Sequence, residues 1–362
     1  MPGAAMMPRD GPIPAPALCK GSAPSVNTAK AEADMPESAA TPPPSAAPAR
    51  PSLLRRVHLA LRDLMPDTWV VRRNYWHLFG FYPDLKQPAL LSEKVNWLKL
   101  HGIAPIHTQL ADKVAVRPWV AARIGSEHLI RTILTTDKID DIRPENIPDE
   151  RFIIKGNNDT GSFFVVTDRN AFDWQACRAQ LRQTLYRKFY MVQREYQYRD
   201  IPPMVVVEEL LEAEPPATRM TDYKLHCHNG KLAFVELRDW RDTEPCVAIY
   251  SRDWEHLPYI LNEGRASLRP CRATLPRPAL FDRMVQIAET LAGPFPLVRV
   301  DLYLARGQVW FGELTFTPAV GLERLERIEP GGDRTDIDAL FGARFDLQEA
   351  KRRIAALHRM AF

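Results

Sequence analysis

Eight short runs along the chain carry apolar residues at strand spacing: HLIRTIL (128–134), RFIIK (151–155), FFVVT (163–167), MVVVEELL (204–211), DYKLHCH (222–228), KLAFVEL (231–237), LVRVDLY (297–303) and QVWFGELTF (308–316). They are rich in Val, Ile, Phe and Tyr, which suit a pleated, half-buried surface. Elsewhere the apolar period becomes helical. Leu54, Val57, Leu61 and Leu64 share one face of LLRRVHLALRDL, whose other face is basic. SEKVNWLKLHG, TQLADKVAV and PWVAARIG predict three more helices, the last with Pro118 in its first turn, where a missing N–H costs nothing. Further helical patterns span about 174–191 and 279–292. HNGK at 228–231 places Asn-Gly between two strand patterns, a strong hairpin signal. Hairpins with inserted helices predict an α+β fold rather than a repeating βαβ sheet.

Composition changes the picture first at the N-terminus. Residues 1–51 hold 12 of the 32 prolines and no aromatic residue, so they are expected to form a disordered tail. Residues 52–127 read as a helical lead-in and 331–362 as loop and terminal helix. The net charge of +3, from 48 basic and 45 acidic residues, gives no field that would draw the whole chain to nucleic acid. No run approaches the ~20 apolar residues of a membrane span; Arg55, Arg56 and Arg62 leave peripheral contact with anionic lipid open, but a solvated helix face accounts for them better. Cys19, Cys177, Cys227, Cys246 and Cys271 show no metal or redox spacing and are expected to be reduced thiols of a cytoplasmic protein.

Candidate chemistry lies in the last two strand runs, where Asp301 and Glu313 interrupt apolar residues. A two-residue turn on Arg306-Gly307 would put Asp301 on the face of Gly312 and Leu314. A three-residue loop, Ala305-Arg306-Gly307, sets Gly where a left-handed residue is wanted and separates the faces more cleanly. One face then carries Val300, Leu302, Leu304, Trp310 and Leu314. The other carries Arg299, Asp301, Tyr303, Phe311, Glu313 and Thr315. Two carboxylates beside an arginine suit a hard divalent cation such as Mg2+. Taken alone, polar alternation on a solvated strand explains the pair slightly better. Two further stretches add weight. In RFIIKGNNDTGSFFVV a lysine precedes an Asn/Asp/Gly turn that can offer N–H groups to phosphate. In MVVVEELL a buried strand ends in two carboxylates.

The order and spacing of SEKVNWLKLHG, LADKVAVRPWVAARIG, FIIKGNNDTGS, VVVEELL, DYKLHCHNGK, LVRVDLY and FGELTFTPAVG resemble the ATP-grasp superfamily, and more narrowly its TupA-like group, associated with teichuronopeptide and other surface-polysaccharide biosynthesis. The resemblance covers roughly residues 92–325. It implies two α+β lobes closing on ATP: a small lobe at 128–211 with phosphate loop and hinge, and a large lobe at 212–330 with the metal site. It implies that Lys113 and Lys155 contact the nucleotide phosphates, that Thr160, Gly161 and Ser162 cover them, and that Glu208, Glu209, Leu210 and Leu211 form the adenine hinge. Lys224 would reach the phosphates from the large lobe. Asp301 and Glu313 would hold Mg2+, with Thr315 standing where the superfamily usually has Asn. Arg299 would support the transferring phosphoryl group. The implied activity is an ATP- and Mg2+-dependent carboxylate–amine ligase working through an acyl phosphate, its partners a glycan-precursor or small-molecule carboxylate and an amine. The alternatives are a phosphotransferase acting on a sugar hydroxyl, a polysaccharide-biosynthesis glycosyltransferase and a non-catalytic nucleotide-binding protein.

Overall fold

The computed structural model describes residues 64–158, 163–187, 190–212, 220–239, 246–262, 269–271 and 274–359. The expected tail, most of the helix expected at 53–64, and Thr160, Gly161 and Ser162 lie outside the described residues.

Among the described residues four helices come first. Helix α1 (Asp67–Phe79) buries Val70, Val71 and Tyr75 and stops at Gly80, whose φ of 77° favours glycine. Helices α2 (Leu91–His101), α3 (Pro105–Ala111) and α4 (Val116–Ile124) follow. The helix expected over TQLADKVAV is broken after Ala111. The Asp112 carboxylate accepts from the Val114 N–H at 2.8 Å and from Asn157 Nδ2 at 2.9 Å, so the side chain stabilises a turn in competition with the helix.

Strands β1 (Thr132–Thr136), β2 (Phe152–Gly156), β3 (Phe163–Val166) and β4 (Val205–Glu209) form an antiparallel sheet in the order β1-β4-β2-β3. Helix α5 (Trp174–Thr184) is capped by Asp173, which accepts from two N–H groups of its first turn, and sends Cys177 and Leu181 into the core under Phe152, Ile154, Val205 and Val207. A one-turn helix, α6 (Tyr190–Gln193), precedes β4.

The larger sheet contains β5 (Asp222–His228), β6 (Lys231–Asp239), β7 (Cys246–Tyr250), β8 (His256–Leu257), β10 (Arg269–Pro270), β11 (Leu297–Ala305) and β12 (Gln308–Thr315), in the order β10-β7-β6-β5-β11-β12 with β8 on β7. The HNGK turn forms as expected, with Asn229 and Gly230 at positive φ and His228 paired with Lys231. Helix α7 (Phe281–Ala292) covers one face, packing Phe281, Met284, Ile287 and Leu291 with Leu225, Val235, Val298, Val300 and Leu302. A third sheet joins β9 (Tyr259–Asn262), β13 (Arg324–Ile328) and β14 (Arg334–Asp336). Two helices close the described chain, α8 (Asp338–Arg344) and α9 (Leu347–Leu357), where one terminal helix was expected.

Two expectations need correction. The β11–β12 connection is a two-residue turn: Ala305 pairs with Gln308, and Arg306 and Gly307 are both left-handed (φ 54° and 65°). The three-residue loop does not form. Register is restored by a bulge at Gly312, between the pairs Leu302–Phe311 and Asp301–Glu313. Asp301 therefore still faces Glu313, but Phe311 joins the core with Leu302 while Trp310 pairs with Tyr303 on the opposite face. The second correction concerns the cysteines. Parallel pairing of Arg269 with Cys246 draws Cys271 within 4.9 Å (Cα–Cα), and Cys246 and Cys271 form a disulfide. Cys177 and Cys227 are free and buried, and Cys19 lies outside the described residues.

Candidate functional site

One sheet face packs on α7, and the other carries a second apolar cluster (Phe234, Val247, Ile249 and Leu297) beside a group of charged side chains. Alternation along β5, β6, β11 and β12 sends Lys224 and His226, Glu236 and Arg238, Arg299 and Asp301, and Glu313 and Thr315 to the face away from α7. Cross-strand pairing sets Asp301 opposite both Lys224 and Glu313, and Arg299 opposite both His226 and Thr315. The cluster therefore follows from four short strands in register.

Asp301 is its centre and is buried. Arg299 grips it with two parallel bonds, Nε to Oδ1 at 2.7 Å and Nη2 to Oδ2 at 2.8 Å, and Lys224 Nζ donates to Oδ2 at 2.9 Å. Burial alone would raise the Asp301 carboxyl, but Arg299 and Lys224 hold it below its ordinary value. Burial would also lower the Arg299 guanidinium, yet Asp301, Glu236 and Glu313 raise it. Arg299 Nη2 donates to Thr315 Oγ1 at 3.2 Å, and that hydroxyl donates to Glu313 Oε1 at 3.2 Å. Glu313 is the most open member, its side chain one third exposed. The solvated-strand reading thus fails for Asp301 and holds only in part for Glu313.

The same face holds Glu236, Arg238 and His226, to which the sequence reading gave no role, beside Tyr303. Glu236 accepts from Arg238 Nε at 2.6 Å and lies 3.2 Å from His226 Nε2. Burial would raise its carboxyl, but Arg238 and His226 pull it well below the usual range. Tyr303 is pushed well up by burial and by the charges of Asp222, Asp301, Glu313 and Glu208. A signal was present: Asp222, Lys224 and His226, and then Glu236 and Arg238, recur at a period of two.

Lys155 and Glu208 meet in a second cluster. Lys155 Nζ is 2.5 Å from Glu208 Oε2, and Arg117 Nη1 is 3.2 Å from Oε1. Glu208 is buried between the two cations. Asn157 roots the loop that follows Lys155: its N–H donates to the Met204 carbonyl at 3.0 Å, its Oδ1 accepts from Met204 N–H at 2.8 Å, and its carbonyl accepts from Lys113 N–H at 3.5 Å. Lys113 is thereby brought to the loop by its main chain. At the end of β4, Glu209 N–H donates to the Arg131 carbonyl and Leu210 N–H to the Arg151 carbonyl, while Leu211 is buried. The Glu209 carboxylate pairs with Arg131 at 3.3 Å and with Arg306 of the β11–β12 turn at 2.5 Å. The Arg306–Glu209 pair ties the smaller sheet to the larger one at this edge.

Donor chemistry at Asp301, Glu313 and Thr315 is entirely oxygen, which fits a hard cation such as Mg2+. Among the described residues no three His, Cys, Asp or Glu side chains are grouped as a metal cage. Two carboxylates without a third suit a cation that takes its other ligands from phosphate and water.

A model of the TupA-like ATP-grasp family matches residues 93–333. The chain belongs to that family. The fold is accordingly the ATP-grasp fold that the sequence resemblance implied. Among solved structures, the TupA-like chain is similar to D-alanine–D-alanine ligase from Bacillus anthracis, with 11% identity over 69% of this chain and 67% of that one and a TM-score of 0.36. It is similar to D-alanyl-alanine synthetase A from Vibrio cholerae, with 16% identity over 68% and 66% and a TM-score of 0.33. It is also similar to the ATP-grasp ligase PsnB complexed with a minimal precursor, Mg and ADP, with 13% identity over 72% and 66% and a TM-score of 0.36. In another PsnB complex the match spans 62% of that protein, less than two thirds of its length. No curated protein matches the chain.

Proposed function

We propose that this TupA-like protein is an ATP-dependent carboxylate–amine ligase. The observation that carries this is the buried Asp301, paired across strands with Glu313 and gripped by Arg299 and Lys224. Fixed positive charge beside two carboxylates is what a transferring phosphoryl group requires, since its catalysis is positioning and charge neutralisation. Asp301 and Glu313 would hold Mg2+, with Thr315 contributing through its hydroxyl. When bound, the cation would neutralise phosphate charge. Lys224 would exchange part of its bond to Asp301 for a phosphate oxygen, and Arg299 would face the charge that develops on the γ-phosphoryl group. Lys155 and Lys113, at the root of the Asn157 loop, would meet the phosphates from the smaller sheet, with Thr160, Gly161 and Ser162 over them. Glu208 to Leu211 would line the adenine. A substrate carboxylate oxygen would attack the γ-phosphorus of ATP, breaking its bond to the bridging oxygen and releasing ADP, to give an acyl phosphate. An amine then displaces phosphate and leaves an amide.

The substrate we infer is a carboxylate of a uronic acid or amino acid on a cell-surface polysaccharide precursor, and the site of action the cytoplasm. Support for both is the association of TupA-like proteins with surface-glycan biosynthesis, together with the ATP such a reaction consumes. The test is free-phosphate release with ATP, Mg2+ and matched panels of uronic acids and amino acids. Release that needs both a carboxylate and an amine supports the ligase. Stoichiometric ADP with a phosphorylated sugar and no free phosphate contradicts it.

A further inference from the structure

Exposed large apolar side chains are not spread evenly over the described surface. Of nine such residues, five fall between Leu64 and Tyr82: Leu64, Trp69, Trp76, Phe81 and Tyr82. Trp69 and Trp76 are seven residues apart in α1, two helical turns, on the side opposite the buried Val70, Val71 and Tyr75. They are 49% and 42% exposed, and Tyr82, just beyond the helix, is 58% exposed. Trp76 and Tyr82 stack with ring centroids 6.1 Å apart. Arginines are interleaved with the rings. The Arg73 guanidinium lies 5.9 Å from the Trp69 ring centre and the Arg72 guanidinium 5.3 Å from that of Tyr82. His77 is exposed with its ring 5.1 Å from that of Trp76, and Lys86 is exposed in the turn that follows. The two acidic residues of the stretch 64–90 are both engaged: Asp67 pairs with the buried Arg194 at 2.9 Å, and Asp84 accepts the N–H groups of Lys86 and Gln87.

We propose that this face of α1 and its following turn docks on an anionic bilayer surface. Indole and phenol rings have an apolar body and a polar edge, which suits the depth of lipid headgroups. Arginine and lysine can rest their stems among such rings while their charges meet phosphate. Complementary charge selects this occupant. A second copy related by a two-fold axis would bring the cationic patch of Arg72 and Arg73 against the same patch of its partner, which like-charge repulsion disfavours. Residues 1–51 carry four basic and four acidic residues and no aromatic ring, and so offer neither charge nor stacking complement. The sequence just before α1 extends the same chemistry with Arg55, Arg56 and Arg62.

The test is co-sedimentation of the full chain with vesicles of phosphatidylcholine alone and with about 30 mol% phosphatidylglycerol, repeated in about 0.5 M salt, where surface charge is screened. Wild type should partition onto the anionic vesicles at least about tenfold more than onto neutral ones, and salt should remove most of the difference. Bromine-labelled lipid should quench its tryptophan emission. The variant W69S/W76S/Y82S should fall to the neutral-vesicle level with an unchanged melting temperature, and R72E/R73E should do the same without touching the rings. Absence of wild-type binding to anionic vesicles would overturn the proposal, as would undiminished binding by both variants. Concentration-dependent dimerisation that the ring variant abolishes, without vesicle binding, would assign the face to a second copy and also overturn it.

Discussion

Arg299 is the residue whose loss separates metal holding from charge stabilisation. Arg299→Ala leaves Asp301 paired with Lys224 and leaves Glu313 in place, so turnover should fall by roughly 10²–10³ while its dependence on Mg2+ persists. ATP turnover against Mg2+ concentration checks this, and a variant that loses the Mg2+ dependence itself would place Arg299 in metal binding instead. At this scale much was legible. Asp301 and Glu313 stand out as carboxylates inside largely apolar strand runs, although alternation on a solvated strand would place them there as well. The partners of Asp301 on β5 were not legible, because the pairing of β5 with β11 joins residues 77 apart, Lys224 and Asp301, through a sheet order that periodicity does not encode. Glu208 is similar. Its carboxylate is visible in the sequence, but the clamp by Arg117 and Lys155 depends on α4 meeting the end of β4.

Gly312 shows how an element can correct a misread turn. A Cβ there would meet Tyr303 Cε2 at 2.8 Å and the Asp301 carbonyl at 3.0 Å, so Gly312→Ala should strain the bulge and turn Glu313 away from Asp301. Overpacking of this kind costs about 1–3 kcal/mol. The prediction is a lower urea midpoint together with a loss of turnover larger than that stability change explains; unchanged activity would mean the bulge does not position Glu313. A glycine inside a strand pattern is a bulge signal, and it was available in QVWFGELTF. The turn itself was misjudged because Arg306 at φ 54° is uncommon for a side chain of its size, and Arg-Gly is a weak turn signal beside Asn-Gly. All eight expected strand runs form strands, with ends shifted by up to a few residues. Strands β7, β8, β9, β10, β13 and β14 were missed. CVAIY and YILN are short apolar runs whose period does not separate strand from helix, RLERI alternates with charge on both sides, and β8, β10 and β14 are too short to show a period.

Across the molecule, stability should depend on pH through buried neutral histidines. His107 accepts the Ala104 N–H at 2.9 Å and packs edge-on against Phe295 and Phe316. Burial lowers its pKa to about 4, and His358 adds to this. Burial likewise lowers His228 to about 3, and lowers His226 against the pull of Glu236. Below pH 6.5 the unfolded chain binds a proton at residue 107 that the folded chain refuses, so this contribution to stability is lost as pH falls from 6.5 toward 4. Between pH 7 and 5 the loss at His107 is about 2 kcal/mol, and His107→Gln should show a correspondingly smaller fall in urea midpoints. Equal falls in the two proteins would mean His107 is not held neutral. The disulfide was illegible for a reason of the same scale: Cys246 and Cys271 are 25 residues apart and meet only because β10 runs parallel to β7.

The central claim is that Asp301 and Glu313 act as one unit toward Mg2+ and ATP. Its most direct measurement is ATP turnover against Mg2+ concentration for wild type, Asp301→Asn, Glu313→Gln and the double variant, with melting temperatures taken alongside. Each single change should remove most turnover in a folded protein, and the double change should cost little more, because residues serving one ion are not additive. Wild-type turnover with an unshifted Mg2+ midpoint in either single variant would contradict it.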